Sequence, residues 1–189
     1  MAEIKDLSQS FIVMGLDPGS ENLGVGLLEV DFETYEVLDA QAFTLVGTKS
    51  HYFLDYDVRL YNERFARIRA LGKMLDDVLK CYQPAAVACE SPFYNPRRPN
   101  AYGVLVEVLS MVKYAVYDWD STVPVVFIDP PTVKKAFKAA GNKKEQMSEA
   151  LSKLAELQFP GTENLDEHSV DALAVAYGRL LTLRNIARD

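Results

Sequence analysis

Apolar residues along the chain form two kinds of pattern, short continuous runs and longer stretches with helical spacing. The short runs are bounded by turn-forming residues and predict five strands, at 11–16, 23–30, 35–46, 85–90 and 123–128. In the first half of the chain, helical spacing from Val58 to Tyr82 predicts one long amphipathic helix over 58–82. Residues 48–57, before this helix, are expected to form a loop.

The second half of the chain alternates helix and strand. A stripe of apolar residues predicts a helix near 101–117, and further helices are expected around 131–139, 143–157 and 166–184. Asn164 and Glu167 have the spacing of a capping box at the start of the last helix. Three antiparallel strands followed by alternating helix and strand predict an α/β fold, a mixed five-stranded sheet of three antiparallel and two parallel strands with helices on both faces.

Composition indicates a single domain over residues 1–189. The sequence is 49% hydrophobic, and no repeat or linker divides it. No apolar run reaches the roughly 18 residues that cross a bilayer, and the first ten residues lack the pattern of a signal peptide. We therefore expect a cytoplasmic protein without a membrane partner. Cys81 and Cys89 form no CxxC pair and are expected to be free thiols.

Positive charge is concentrated locally although the net charge is −7. The overall charge argues against a nucleic-acid partner, but residues 131–153 contain six lysines and two glutamates. Arg97 and Arg98 stand nearby in a segment without acids. Such a run is either a solvated surface or a patch that binds a phosphate backbone, and both interpretations stay open at this point.

Two carboxylates stand where predicted strands end. Asp17 closes the first strand before the Pro18-Gly19 turn, and Glu90 closes the fourth strand. The carboxyl ends of strands in an open α/β sheet are where ligands gather, so these two side chains could lie together. Asp17 could equally be a turn residue, because aspartate commonly opens turns.

The last helix carries two further candidates, His168 and Asp171. They are three residues apart and share a helix face, and Asp171 lies beside the apolar stripe, where an unpaired charge is costly. Carboxylates brought together repel one another unless a divalent cation neutralises them, and oxygen ligands select Mg²⁺ or Mn²⁺. Two ions about 3.5–4 Å apart would make a phosphodiester hydrolase site. Otherwise, His168 is an ordinary histidine and Asp171 an acid favoured by the helix dipole.

Together these motifs resemble the RuvC family of Holliday-junction resolvases. "GLDPGSENLGVG" is similar to the first-strand motif, with Asp17 as the metal-binding acid, and "ACESPF" is similar to the segment with the second acid, Glu90, and a following aromatic, Phe93. "HSVDALAVAYG" resembles the terminal motif with Asp171 as the last acid. At His168 the family carries either aspartate or histidine.

The resemblance implies a ribonuclease H-like fold and a metal-dependent endodeoxyribonuclease. Such an enzyme acts as a homodimer and resolves four-way DNA junctions by paired symmetric cuts, with two Mg²⁺ ions per site that Mn²⁺ can replace. "TVKKAF…NKKEQ" matches the segment that places lysines near the scissile phosphate, which points to Lys134 and Lys144 as catalytic residues. Lys135 and Lys143 are adjacent alternatives.

Residues after Glu90 and the helix near 101–117 are candidates for contact with DNA and with a partner subunit. Phe93 and Tyr94 could stack on an unpaired base, or Phe93 could pack under its loop, and Arg97 and Arg98 are expected to touch backbone phosphates. The apolar face of the 101–117 helix is broad enough to contact both the sheet and a second subunit. A fully internal helix is the alternative.

Other functions within the same superfamily stay open. The same chemistry could act on flaps, Y-forks or, as in YqgF-like relatives, structured RNA, and a non-catalytic junction-binding scaffold is a further alternative. The ATPase relatives of this fold need a second Asp-x-Gly loop, which the sequence lacks, so no nucleotide cofactor is expected. Two features depart from the RuvC pattern, namely the long segment "TKSHYFLDYDVRLY" and the acidic composition.

Overall fold

The computed structural model describes residues 9–92, 99–137 and 145–188. Within these ranges the chain forms five strands, which are β1 (Ser10–Pro18), β2 (Asn22–Asp31), β3 (Val37–Val46), β4 (Ala86–Glu90) and β5 (Val125–Ile128). The same ranges contain six α-helices, which are α1 (Asp55–Leu60), α2 (Glu63–Tyr82), α3 (Pro99–Trp119), α4 (Pro130–Ala136), α5 (Glu145–Lys153) and α6 (Glu167–Ile186).

The strands form one mixed sheet in the order β3-β2-β1-β4-β5. β1 pairs antiparallel with β2, which pairs antiparallel with β3. On the other side, β1 pairs parallel with β4, and β4 pairs parallel with β5. The predicted fold, with three antiparallel strands, two parallel strands and helices on both faces, is confirmed.

The central strand β1 is buried on both faces, which explains its continuous apolar sequence. Successive side chains point to opposite faces. Val13 belongs to the core beneath α4, α5 and α6, whereas Met14 belongs to the core beneath α2 and α3. The two cores therefore meet at β1, and the sheet separates them.

Helix α6 lies unusually close to the sheet because glycines face it. Gly15 in β1 and Gly26 in β2 are direct cross-strand partners. A Cβ at Gly15 would lie closer than 3.0 Å to backbone atoms of Ala172 and Ala176, and one at Gly26 would overlap the backbone of Leu173. Because these glycines have no side chain, the backbone of α6 packs directly against the backbone of β1 and β2.

The predicted helix over 58–82 is wrong in one respect, because it is divided into α1 and α2. Asn62 interrupts it, since its side chain accepts a hydrogen bond from the backbone N–H of Phe65 and caps α2. Tyr61 and Phe65 lie on the surface, where their ring centroids are 4.5 Å apart, rather than on the buried face. The segment predicted as a loop over 48–57 contains the start of α1.

Several boundaries also differ from the prediction. Helix α5 ends at Lys153 and a 3₁₀ turn follows at Ala155–Leu157, so the predicted helix over 143–157 is too long. The N-cap of α6 is Asp166 and not Asn164, whose backbone adopts a left-handed φ of 54°. None of the helices in the described ranges is long and apolar enough to span a membrane.

Replacing Gly15 by alanine should destabilise the fold because the added methyl overlaps the backbone of α6. We expect the free energy of unfolding to fall by about 2–3 kcal/mol, the upper end of the cost of overpacking a core. The matched control is Gly103→Ala in α3, where an added Cβ meets nothing within 4 Å and should stabilise by about 0.5–1 kcal/mol. Urea denaturation of both variants measures the difference, and equal effects would contradict the close approach of α6.

Candidate active site

Asp17 and Glu90 end neighbouring parallel strands at the same edge of the sheet. Leu16 in β1 lies opposite Cys89 in β4, so the next residue along each strand brings the two carboxylates side by side. Their predicted proximity is thereby confirmed in the geometry of the sheet. Cys89 is a buried free thiol beneath them, and Cys81 is an exposed one.

His168 is brought to Asp17 by the first turn of α6. Its Nδ1 lies 2.7 Å from Oδ2 of Asp17, whose side chain is only 13% exposed. The hydrogen bond to Asp17 raises the pKa of His168, and burial of the ring opposes this effect. The carboxylate thus orients the imidazole and favours its protonated form.

The pKa of Glu90 is raised by its burial and by neighbouring carboxylates. Burial and the negative charges of Asp17 and Asp171, together with a hydrogen bond to Asp17, raise the pKa of Glu90 to about 8. The charge of Lys134 acts in the opposite direction. Asp17, Asp171 and Lys134 therefore all act on Glu90 at this edge, although Asp17 and Asp171 are 154 positions apart in the sequence.

The donor set suits a divalent cation, because three carboxylates are hard oxygen ligands with excess negative charge and an imidazole nitrogen can complete the set. In the described part of the chain, however, no three histidine, cysteine, aspartate or glutamate side chains already form a group that could hold a metal ion. Asp17 is hydrogen-bonded to both His168 and Glu90.

A hydroxyl and carboxylate network that the sequence analysis missed anchors the start of α6. Oδ1 of Asp166 accepts hydrogen bonds from the backbone N–H of Ser169 and from Oγ1 of Thr44, at 2.9 and 2.7 Å. Burial raises the pKa of Asp166, but the hydrogen bonds lower it by more, so the pKa lies below its ordinary value. The Asp-x-x-Ser spacing could have revealed the cap, whereas nothing in the sequence links Thr44 to it.

The remaining predicted site residues divide into two groups. Lys134 is half-buried and Lys135 exposed, and both lie in the last turn of α4. The other predicted contacts lie outside the described residues, namely Phe93, Tyr94, Arg97, Arg98, Lys143 and Lys144. Lys153, part of the same basic run, forms a salt bridge with Glu149, with 2.6 Å between Nζ and Oε1.

The metal-free protein should lose stability as the pH rises from 4.5, the ordinary pKa of a glutamate, to about 8, the raised pKa of Glu90. Glu90 and His168 both have raised pKa values in the folded state, so the folded chain binds more protons than the unfolded chain in this range, and the free energy of unfolding falls with pH. Asp17→Asn removes the charge that affects both groups and should flatten the slope. Urea denaturation with a chelator at three pH values measures it, and a wild-type curve that rises with pH would contradict the prediction.

Comparison with known proteins identifies relatives over most of the chain. The family profile described as "Crossover junction endodeoxyribonuclease RuvC" matches residues 13–179. The crossover junction endodeoxyribonuclease RuvC of Ruminiclostridium cellulolyticum is 28% identical, covering 87% of this chain and 89% of the relative. The RuvC of Caldanaerobacter subterraneus subsp. tengcongensis is 30% identical over 87% of this chain and 88% of its own.

A solved structure shares the fold. Thermus thermophilus RuvC in complex with a Holliday junction substrate matches with a TM-score of 0.64 and 24% identity, covering 92% of this chain and 96% of that one. The ribonuclease H-like resolvase fold implied by the sequence motifs is thus confirmed. The chain belongs to the RuvC family of crossover junction endodeoxyribonucleases.

Proposed function

We propose that this chain is a divalent-metal-dependent endodeoxyribonuclease that resolves four-way DNA junctions, with residues 1–189 forming one nuclease domain. The observation that carries the proposal is the meeting of Asp17, Glu90 and His168 at the carboxyl edge of the sheet, within reach of the charge of Lys134. Family membership supplies the reaction class, and the retained carboxylates argue against a scaffold that has lost its activity.

Divalent-metal dependence is general in this family, and we assign Mg²⁺ to this chain, with Mn²⁺ able to replace it and two ions in each site. Asp17, Glu90 and Asp171 would hold the ions, and His168 would complete the ligand set. When bound, the ions supply an activated water and a counter-charge for the leaving oxygen. Burial and the neighbouring negative charges, which together raise the pKa of Glu90, support this assignment.

The side chains around the carboxylates have separate tasks in this proposal. The hydrogen bond to Asp17 keeps the imidazole of His168 in a fixed orientation. Lys134 would stabilise the negative charge that develops on the scissile phosphate, and its electrostatic effect on Glu90 supports that position. Lys144 is assigned the same task by the resemblance to the family, with Lys135 and Lys143 as neighbouring DNA contacts.

Branched DNA is the substrate we assign, on the strength of the family. Phe93 and Tyr94 would stack on unpaired bases near the junction centre, and Arg97 and Arg98 would bind backbone phosphates. No comparison favours RNA, flaps or Y-forks over a four-way junction. These substrates therefore serve as alternatives in the experiment below.

A homodimer is supported by the outer face of α3. The helix buries Val108, Val112 and Val116 on one side, and Val112 and Val116 belong to the core that it shares with α2 and the sheet, so the alternative of a fully internal helix is wrong. Its other side exposes large apolar and aromatic residues, which are Tyr102, Val106, Tyr114 and Tyr117. We assign this exposed face to the contact between two subunits, which would set two active sites in a fixed relation.

Cleavage of a cruciform extruded from a supercoiled plasmid should test the activity and the dimer together. Paired cuts across the junction yield linear DNA, whereas a single cut yields a nicked circle. We expect linear product with Mg²⁺ or Mn²⁺, and a loss of at least about 10³-fold with Asp17→Asn because an ion ligand is removed. Junction binding measured with Ca²⁺ should persist in that variant.

The controls separate the alternatives. Synthetic flaps, Y-forks, linear duplex and structured RNA are incubated in parallel, and preferential cutting of one of them would overturn the substrate assignment. Tyr114→Glu should shift the product from linear DNA to nicked circles if α3 forms the dimer contact. The matched variant Phe32→Glu, at an aromatic that is 66% exposed at the opposite edge of the sheet, should leave the product linear.

A further inference from the structure

One row of residues crosses the sheet beneath the first turn of α6. Thr44 in β3 is the cross-strand partner of Gly24 in β2, and Gly24 is the partner of Asp17 in β1. A Cβ at Gly24 would overlap the backbone carbonyl of His168, so the first turn of the helix rests directly on this row. The row thus has a hydroxyl at one end and a site carboxylate at the other.

The hydroxyl of Thr44 is within hydrogen-bonding distance of two groups in that turn. Its Oγ1 lies 2.7 Å from Oδ1 of Asp166 and 3.0 Å from Oγ of Ser169, and the two helix groups are 3.1 Å apart. The hydroxyls of Thr44 and Ser169 carry one proton each, so two protons are available for three contacts. The shortest is the one from Thr44 to the carboxylate, as expected for a charge-assisted hydrogen bond.

Capping the helix does not require Thr44. The backbone N–H of Ser169 donates to Asp166, so α6 is capped by its own residues. The contact with Thr44 adds a link between the helix and β3. The glycines beneath α6 present no side chain that could stop the turn from sliding or rotating, and Thr44 supplies a directional bond at this end of the helix.

We propose that Thr44 is a positioning residue, which fixes the first turn of α6 so that Nδ1 of His168 meets Asp17 at the metal-binding edge. The inference rests on the proposed function and extends it to a strand that contributes no candidate metal ligand. Thr44 acts through Asp166 and the helix backbone, not by touching DNA or an ion. A shift of the turn by a fraction of an ångström would alter the 2.7 Å contact between His168 and Asp17.

Binding of Mn²⁺ to the DNA-free protein provides a test that does not depend on cleavage. Thr44→Val removes the hydroxyl at constant size, and we expect the Mn²⁺ concentration for half-maximal thermal stabilisation to rise about 10-fold, the lower end for loss of an outer-shell partner. Thr44→Ser keeps the hydroxyl and should restore the wild-type value. The His168 ring nitrogens, observed by NMR without metal, should shift in Thr44→Val and return in Thr44→Ser.

Two further variants separate positioning from general stability. Thr182→Val removes a side-chain hydrogen bond to Gly178 near the other end of α6 and should leave Mn²⁺ binding unchanged. Thr44→Ala removes the link without placing a methyl against Asp166, so it carries the test if Thr44→Val does not fold. Wild-type Mn²⁺ binding in a folded Thr44 variant without the hydroxyl would overturn the proposal. If the wild-type protein binds Mn²⁺ but cuts no branched DNA, the proposed function fails separately.

Discussion

The close contact between the backbone of α6 and the glycines of β1 and β2 is the constraint on which the site depends. Side chains at Gly15, Gly24 or Gly26 would push the helix away from the sheet. Because the contact is made near both the middle and the start of α6, it determines how far His168 stands above Asp17 near the end of β1. The core on that side of the sheet and the candidate active site therefore share one structural cause.

Bringing the carboxylates together opposes folding in the absence of a cation. Burial and neighbouring negative charge raise the pKa of Glu90 to about 8, and the paired Asp17 raises that of His168. Protons can neutralise part of this charge, and a divalent ion would neutralise more of it. Stability and metal binding are consequently linked, as expected where electrostatic crowding serves chemistry rather than the fold.

Most of the sheet, and the positions of Asp17 and Glu90 at the ends of strands, could be predicted from the sequence because they depend on local signals. The apolar run of β1 ends at the Pro18-Gly19 turn, and that of β4 ends at Glu90, so the strand ends were evident. Helical spacing, in contrast, continued through Asn62 and concealed the break between α1 and α2. The side-chain cap at Asn62 starts a new helix within a continuous apolar pattern, and the spacing of apolar residues alone does not reveal such a cap.

Contacts between segments that are distant in the sequence could not be predicted from local sequence patterns. Thr44 and Asp166 are 122 positions apart and meet only because β3 lies beside β2 and α6 crosses both. The influence of Lys134 on Glu90 likewise depends on α4 following β5 next to β4. The motifs identified which acids to examine, and the topology determined which polar side chains support them.

Diffraction from crystals soaked in Mn²⁺, using the anomalous signal of the metal, tests the central claim most directly. The account predicts anomalous peaks at bonding distance from Asp17, Glu90 and Asp171, with the hydrogen bond between Asp17 and Glu90 replaced by ligation. It also predicts that α6 keeps its contact with Gly24. Peaks confined to other surface acids, with Asp17 and Glu90 still bonded to each other, would contradict the claim that this edge of the sheet is a metal-dependent active site.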